Sequence, residues 1–353
     1  MDKSRLSTLQ QRGCKRARKR GLRYTTDDEP GIARRRAGRG FVYIMPDGGR
    51  VRDDATLERI RALAVPPAYT DVWICSDRRG HLQATGRDAR GRKQYRYHAG
   101  WRDDGDTRKY RRLVRFGEAL PVLRAQLQRD LARQGLPRDK VLAVMTRMMM
   151  ITSMRIGSAA NARDNHSYGL TMLLSRHVAI SRDRAVFRFR GKGGKMHEAT
   201  LTNHRLIRIV RRCQKLPGRS LFQYEEEGMV HRVRARQLNE YLCAAMGGFF
   251  SAKDFRTWTG TLTVITLLAR TPLPEQGGER ARRAAINAAI AAAAEQLGNT
   301  PAVCRKAYVY PRVLDGWRSG ALHRAVPAIV PTGSRRLEKA ALRFVRSCLA
   351  KSD

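Results

Sequence analysis

The hydrophobic pattern of this chain changes period near residue 107, and that change sets the fold class. Beyond it, Leu113, Phe116, Leu120, Leu123, Leu127 and Leu131 recur at three- and four-residue steps. This spacing places side chains on one face of an α-helix. Gly135-Leu136-Pro137 ends that helix, and Val141 to Met154 predicts a second, strongly apolar helix at the centre of a core. Before residue 107 the apolar runs are short and bounded by turn residues. Phe41 to Ile44 ends at Pro46-Asp47-Gly48-Gly49, and Leu57 to Leu63 reads as a short helix. Val72 to Cys75 precedes the turn Asp77 to Gly80, and His81 to Thr85 follows it. These runs predict a small antiparallel module. Inside the helical half, Val178 to Ile180, Ala185 to Phe189 and a run to Leu201 predict a three-stranded meander, with turns at Ser181-Arg182-Asp183 and Gly191 to Lys195. Helices are expected around 203–214, 233–246, 256–269, 281–297 and 301–314, with Thr271 to Gly278 as a loop. The prediction is an α+β fold without internal repeats. Residues 1–38 form a basic, flexible tail, 39–105 a small β-rich N-terminal domain, 106–320 a mostly helical domain containing a three-stranded sheet, and 321–353 a basic C-terminal extension with no assigned role.

Charge narrows the function. There are 71 Lys and Arg against 31 Asp and Glu, a formal net charge of +40. A field of that sign attracts polyanions, and nucleic acid gains affinity by releasing condensed counterions. A basic, disordered protein is excluded by a hydrophobic content of 42%. Arg outnumbers Lys by 58 to 13. A GC-rich genome accounts for part of that bias but not for the shortage of acids. Cys14, Cys75, Cys213, Cys243, Cys304 and Cys348 are scattered without zinc spacing, which reads as reduced thiols in a cytoplasmic protein. The longest apolar run, Val141 to Ile156, contains Arg147 and Arg155 and is too short to span a membrane. No secretion signal precedes the folded region.

Cutting a phosphodiester gathers negative charge on the non-bridging oxygens, which metal ions or fixed cations must stabilise. No carboxylate pair suited to magnesium and no Gx4GK[ST] loop stand in the chain, so neither metal nor ATP is expected as a cofactor. Four segments remain. Met154-Arg155-Ile156-Gly157-Ser158 puts an Arg at the end of the apolar helix. Gly191-Lys192-Gly193-Gly194-Lys195 puts a Lys on a hairpin turn. Lys253-Asp254-Phe255-Arg256-Thr257-Trp258 puts an Arg at a helix start. Gly298-Asn299-Thr300-Pro301 leads to Lys306-Ala307-Tyr308 on a short helix. Taken singly, each has a bland reading: ion-pair arginines, a solvated turn lysine, a packing tyrosine.

Together, in this order, they resemble the type IB DNA topoisomerases, in particular the compact poxvirus-type and bacterial branch, over about residues 41 to 317. The resemblance implies the catalytic fold that this family shares with tyrosine recombinases. It implies that Tyr308 attacks the scissile phosphorus to give a 3′-phosphotyrosyl bond, which stores the bond energy so that resealing needs no ATP. Arg155 and Arg256 would then fork onto the phosphoryl oxygens, and Lys192 would protonate the leaving 5′-oxygen. Asp88 to Tyr97 is similar to the family's major-groove segment, which makes Arg92, Lys93, Gln94, Tyr95 and Tyr97 DNA-contact residues. Lys253 would hold a phosphate or assist proton delivery. The residue nine before the tyrosine is His in many members and Asn299 here; an amide can replace a hydrogen-bond donor but not an acid or base. His166 reads as a structural hydrogen-bonding residue, and His197 as sheet surface or a backbone contact.

The implied activity is relaxation of positive and negative supercoils by a monomer that encircles double-stranded DNA as a clamp, with residues near 98–110 as the connection, in a bacterial nucleoid. A tyrosine recombinase or integrase shares the chemistry. It typically carries His three residues before the second Arg, where this chain has Lys253, and a helical N-terminal domain rather than a β-rich one. A non-catalytic architectural DNA-binding protein is the third reading, and the intact set of Arg155, Lys192, Arg256 and Tyr308 argues against it.

Overall fold

The computed structural model describes residues 8–274, 278–331 and 333–350. Two compact units divide at residues 109 and 110. The first begins with α1 (Thr8–Lys19). It continues through β1 (Ile32–Ala37), β2 (Gly40–Ile44), α2 (Asp54–Ala62), β3 (Thr70–Ile74), β4 (Leu82–Arg87) and β5 (Lys93–Tyr97). The strands form one antiparallel sheet in the order β2-β1-β3-β4-β5. Ile32, Val51, Ile60, Val72, Ile74 and Ala84 make its core. Asp53 caps α2 by accepting from Thr56 N.

The basic tail expected over residues 1–38 is, in its described part, structured. Arg34, Arg35 and Arg36 lie on β1, which pairs with both β2 and β3. The Arg34 guanidinium stacks 4.2 Å from the Phe41 ring centroid and donates to the carbonyls of Val65, Pro66 and Tyr69. On α1, Arg16 lies 3.7 Å over the Trp101 ring and donates to its carbonyl at 2.8 Å. Within these charge clusters, Arg16 and Arg34 are thus stacked and hydrogen-bonded, while Arg35 and Arg36 stay exposed. Residues 1–7 of that expected tail fall outside the described residues.

A 34-residue helix, α3 (Ala99–Ala132), begins in the first unit and continues into the second. The expected connection near 98–110 is thus the N-terminal part of a helix. Then come α4 (Arg138–Thr152), α5 (Ala159–Asn165), β6 (Val178–Ile180), β7 (Ala185–Arg190), β8 (Met196–Leu201) and α6 (His204–Gln214). They are followed by β9 (Gln223–Glu226), β10 (Met229–Arg232), α7 (Ala235–Met246), α8 (Ala252–Arg270), α9 (Gly278–Gln296), α10 (Pro301–Tyr308), α11 (Pro311–Arg318), α12 (Ala321–Ala325) and α13 (Arg335–Ala350). The meander is present as β6-β7-β8, and α4 is buried from Lys140 to Met149 apart from the partly exposed Arg147, while Ile151 is exposed. The β9–β10 hairpin was not anticipated.

Two further differences matter. The helix expected over 301–314 is two helices, separated at Val309 and Tyr310, because Pro311 cannot continue the hydrogen-bond ladder. Tyr308 is consequently a helix-terminal residue. The segment 321–353, expected as an extension, completes the core in its described part. Leu337, Ala340, Ala341, Phe344 and Val345 of α13 are buried in the main hydrophobic cluster, and Glu338 pairs with Arg124 at 2.7 Å. Among the described residues, no helix is long and apolar enough to cross a membrane.

Candidate active site

Arg155 follows the left-handed cap of α4 at Ser153. Its own segment is fixed by close backbone contact. Gly157 has φ +85, and a Cβ on Gly169 would lie 2.5 Å from Gly157 Cα, so glycine is required on both sides. Leu170 and Thr171 donate their amides to the Arg155 and Ile156 carbonyls. This pins the root of a side chain whose Nη2 donates to the Gly298 carbonyl at 3.3 Å and to Asn299 Oδ1.

Arg256 lies on the first turns of α8, a helix whose start is fixed by a reciprocal box between Ser251 and Asp254. It is 5% exposed. Nη1 donates to the Ser153 carbonyl and Nη2 to the Leu297 carbonyl, each at 2.7 Å. One guanidinium therefore ties the end of α4 to the end of α9. Its Cζ sits 5.0 Å from the Tyr308 ring centroid, and its Nε is buried without a partner.

Tyr308 ends α10. Its carbonyl accepts from Thr261 Oγ1 at 3.0 Å, and a Cβ on Gly260 would meet Tyr308 Cβ and O at 3.0 Å. α8 thus presents a glycine and a threonine to seat the tyrosine backbone. Burial would raise the phenol's pKa. The hydrogen bond from Arg256 and the charges of Arg256, Arg155 and Lys192 outweigh that and hold it below the ordinary tyrosine value. The cations around this hydroxyl favour its deprotonated form, which a nucleophile requires.

Asn299 follows α9. Its amide nitrogen donates to the Ala294 carbonyl, its side-chain Oδ1 accepts from Arg155 Nη2, and its Nδ2 is buried with no partner. The free end of the side chain is thus a donor, as the replacement of an imidazole requires. Lys192 is exposed on the tight turn between β7 and β8, where Gly193 and Gly194 have φ of +79 and +78. Arg155, Arg256, Asn299 and Tyr308 are drawn together, and the Lys192 charge is felt at Tyr308. Lys253 is exposed on the first turn of α8, outside this contact set.

Of the two readings of His197, sheet surface and backbone contact, its placement disfavours the first. It lies on β8 opposite Phe189, stacked at 5.6 Å and 15°, and is only partly exposed. A Cβ on Gly191 would lie 2.2 Å from its Cδ2, and one on Gly298 2.4 Å from its Cε1. Burial, then the charges of Arg155, Arg256 and Lys195, lower its pKa. The ring belongs to the site rather than to the sheet surface. The inward register that His197 shares with Ala199 and Leu201 was the available signal. His166, expected as a structural residue, is exposed, with φ +46.

In the first unit, the predicted DNA-contact residues share β5 and the turn before it. Tyr95 and Tyr97 are exposed and stack at 6.1 Å. Asp88 holds Arg92 at 2.7 Å and accepts from Gln94 Nε2 at 2.9 Å, while Lys93 pairs with Asp27. Aromatic faces and cations thus alternate along one strand, an arrangement suited to a polyanion with stacked bases.

Comparison with known proteins identifies this arrangement. A family model described as "Eukaryotic DNA topoisomerase I, catalytic core" matches residues 98–314, and one described as "Bacterial DNA topoisomerase IB, N-terminal domain" matches residues 40–88. The DNA topoisomerase 1B of Acanthamoeba polyphaga mimivirus is 35% identical over 291 residues, 81% of this chain and 87% of that protein. The chain belongs to the type IB DNA topoisomerases. The DNA topoisomerase I of Monkeypox virus and the DNA topoisomerase 1B of Vaccinia virus (strain Copenhagen) are each 24% identical over 272 residues, 74% of this chain and 82% of theirs. For a type IB topoisomerase, Asn299 is the departure already noted. The recombinase and architectural readings are not favoured.

Proposed function

We propose that this type IB topoisomerase relaxes supercoils of both signs by transient cleavage of one strand through a 3′-phosphotyrosyl bond to Tyr308. The observation that carries the reading is the seating of Tyr308 against Arg256, within the fields of Arg155 and Lys192. Tyr308 attacks phosphorus as the phenolate, its proton already released to solvent, and the bond to the 5′-oxygen breaks. Lys192 gives a proton to that oxygen, since an alkoxide leaves poorly. The Arg155 and Arg256 guanidiniums and Asn299 Nδ2 stabilise the charge that builds on the non-bridging oxygens. The free 5′ end swivels about the intact strand. The 5′-hydroxyl, returning its proton to Lys192, then attacks the phosphotyrosyl phosphorus, expels Tyr308 as the phenolate and restores the diester without ATP. Arg92, Lys93, Gln94, Tyr95, Tyr97 and Lys253 contact the duplex, which the monomer encircles as a clamp. The match to a bacterial N-terminal domain supports a bacterial nucleoid as the setting, with the six free thiols consistent with a cytoplasm.

The test is relaxation of supercoiled plasmid in EDTA without ATP. The parent protein is expected to relax it and to leave a covalent 3′ adduct on denaturation, while Tyr308→Phe does neither. A parent that leaves the plasmid supercoiled overturns the activity. Relaxation by Tyr308→Phe overturns the nucleophile.

A further inference from the structure

A buried polar atom without a partner is costly, and such atoms gather where a ligand is to be received. Among the described residues, eight side chains carry one. Three of the eight, Arg256 Nε, Asn299 Nδ2 and His197 Nε2, belong to the site around Tyr308. The first two are accounted for by the proposed chemistry. His197 is not.

Its placement is enforced from both sides. Gly191, which precedes Lys192, leaves room for one edge of the ring, and Gly298, which precedes Asn299, leaves room for the other. Gly298 also has φ +58, so a side chain there would be strained as well as obstructed. Phe189 supports one face of the ring. The imidazole therefore fills the gap between the lysine turn and the asparagine loop, and it cannot turn away without displacing one of them.

We propose that His197 is a further catalytic residue, whose Nε2–H donates to a non-bridging oxygen of the scissile phosphate and shares that duty with Asn299. This rests on the phosphotyrosyl reading above. The chemistry fits the surroundings. A phosphoryl oxygen only accepts, so the ring must present a donor there, and the neutral Nε2–H tautomer supplies one. The guanidiniums of Arg155 and Arg256, whose charges reach the ring, disfavour the imidazolium. A neutral donor adds a hydrogen bond without adding a fourth positive charge to the site formed by Arg155, Arg256 and Lys192. It also compensates for an asparagine that gives one donor arm to the phosphate while its carbonyl is held by Arg155.

The experiment is single-turnover formation of the covalent adduct on a duplex with one cleavage site, using the full chain. His197→Phe keeps the stack and removes the donor, whereas His197→Gln restores a donor. Each substrate is made as the diester and as the two separated methylphosphonates, in which one non-bridging oxygen is a methyl group. We expect His197→Phe to slow adduct formation about 10- to 100-fold on the diester, a modest share of what one oxyanion donor supplies. On one methylphosphonate that loss should shrink to a few-fold at most, and His197→Gln should recover most of the diester rate. A diester rate within twofold of the parent overturns the proposal. So does an equal slowing on all three substrates, which a merely structural ring would produce. If His197→Phe melts well below the parent, His197→Leu, which also lacks the donor, takes its place across the three substrates and is judged by the same criterion. Failure of the parent itself to form an adduct sinks instead the phosphotyrosyl reading.

Discussion

At the scale of single residues, the site is a device for making a phenol acidic while it is half-buried. Desolvation opposes ionisation of Tyr308, and the Arg256 hydrogen bond with three neighbouring positive charges overcomes it. In the DNA-free protein, the tyrosinate absorbance that disappears in Tyr308→Phe should therefore titrate below the ordinary value of about 10. Arg256→Gln should move that transition upward. A difference titration at or above the ordinary value would remove this account of activation. Arg155, Lys192, Arg256, Asn299 and Tyr308 could be singled out in the sequence only together, through the family resemblance that their order carries; singly, each had a bland reading. His197 could not, since its meaning depends on Gly298 arriving beside it from a distant helix end. Periodicity reports which face a side chain takes, and cannot report what that face will meet.

Among the elements, the basic segments were the hardest to read. Charge suggested solvated ends, but α1, β1 and α13 are docked. Long arginine stems pack on rings while their heads find carbonyls, and a hydropathy pattern does not register that. Phe344→Ala measures how far α13 belongs to the core. Its ring meets Gly316 so closely that a Cβ there would lie 2.4 Å from Phe344 Cζ. Loss of about 3–5 kcal/mol is expected in denaturant unfolding, the usual cost of deleting a buried phenylalanine ring. A loss under about 1 kcal/mol, typical of surface changes, would return α13 to the status of an appendage. In the first unit, His81 is buried against Tyr24 and Trp101 and accepts from the Thr25 amide. Burial, then the charge of Arg16, push its pKa down to about 4. The unfolded chain takes up the proton first, so stability is full above about pH 6.5 and falls as the pH drops toward the folded value. At pH 5 the loss is about 2 kcal/mol. It is to be read from the denaturation midpoint of Trp101 emission, with His81→Gln abolishing the trend.

For the whole molecule, the excess of positive charge governs how DNA is held. Binding should weaken about a thousandfold or more between roughly 50 and 200 mM salt, as for proteins that neutralise about six to ten phosphates. Fluorescence anisotropy with a short duplex measures it, and a change below about tenfold would mean that contacts other than phosphates dominate. The two-part organisation was legible from the change of period near residue 107. The boundary itself was not, because one continuous helix passes through it. The bonds of Arg256 have a further consequence for synthesis. They join residues 103 and 41 positions apart, and the second partner, Leu297, is made late. A growing chain thus carries its basic N-terminal unit, Arg155 and Lys192 long before it has a set guanidinium or a nucleophile. With the proposed function, a translation product interrupted before α9 would lack both Leu297 and the nucleophile. On the phosphotyrosyl reading, the capacity to break a strand arises only after Leu297 and Tyr308 have been made.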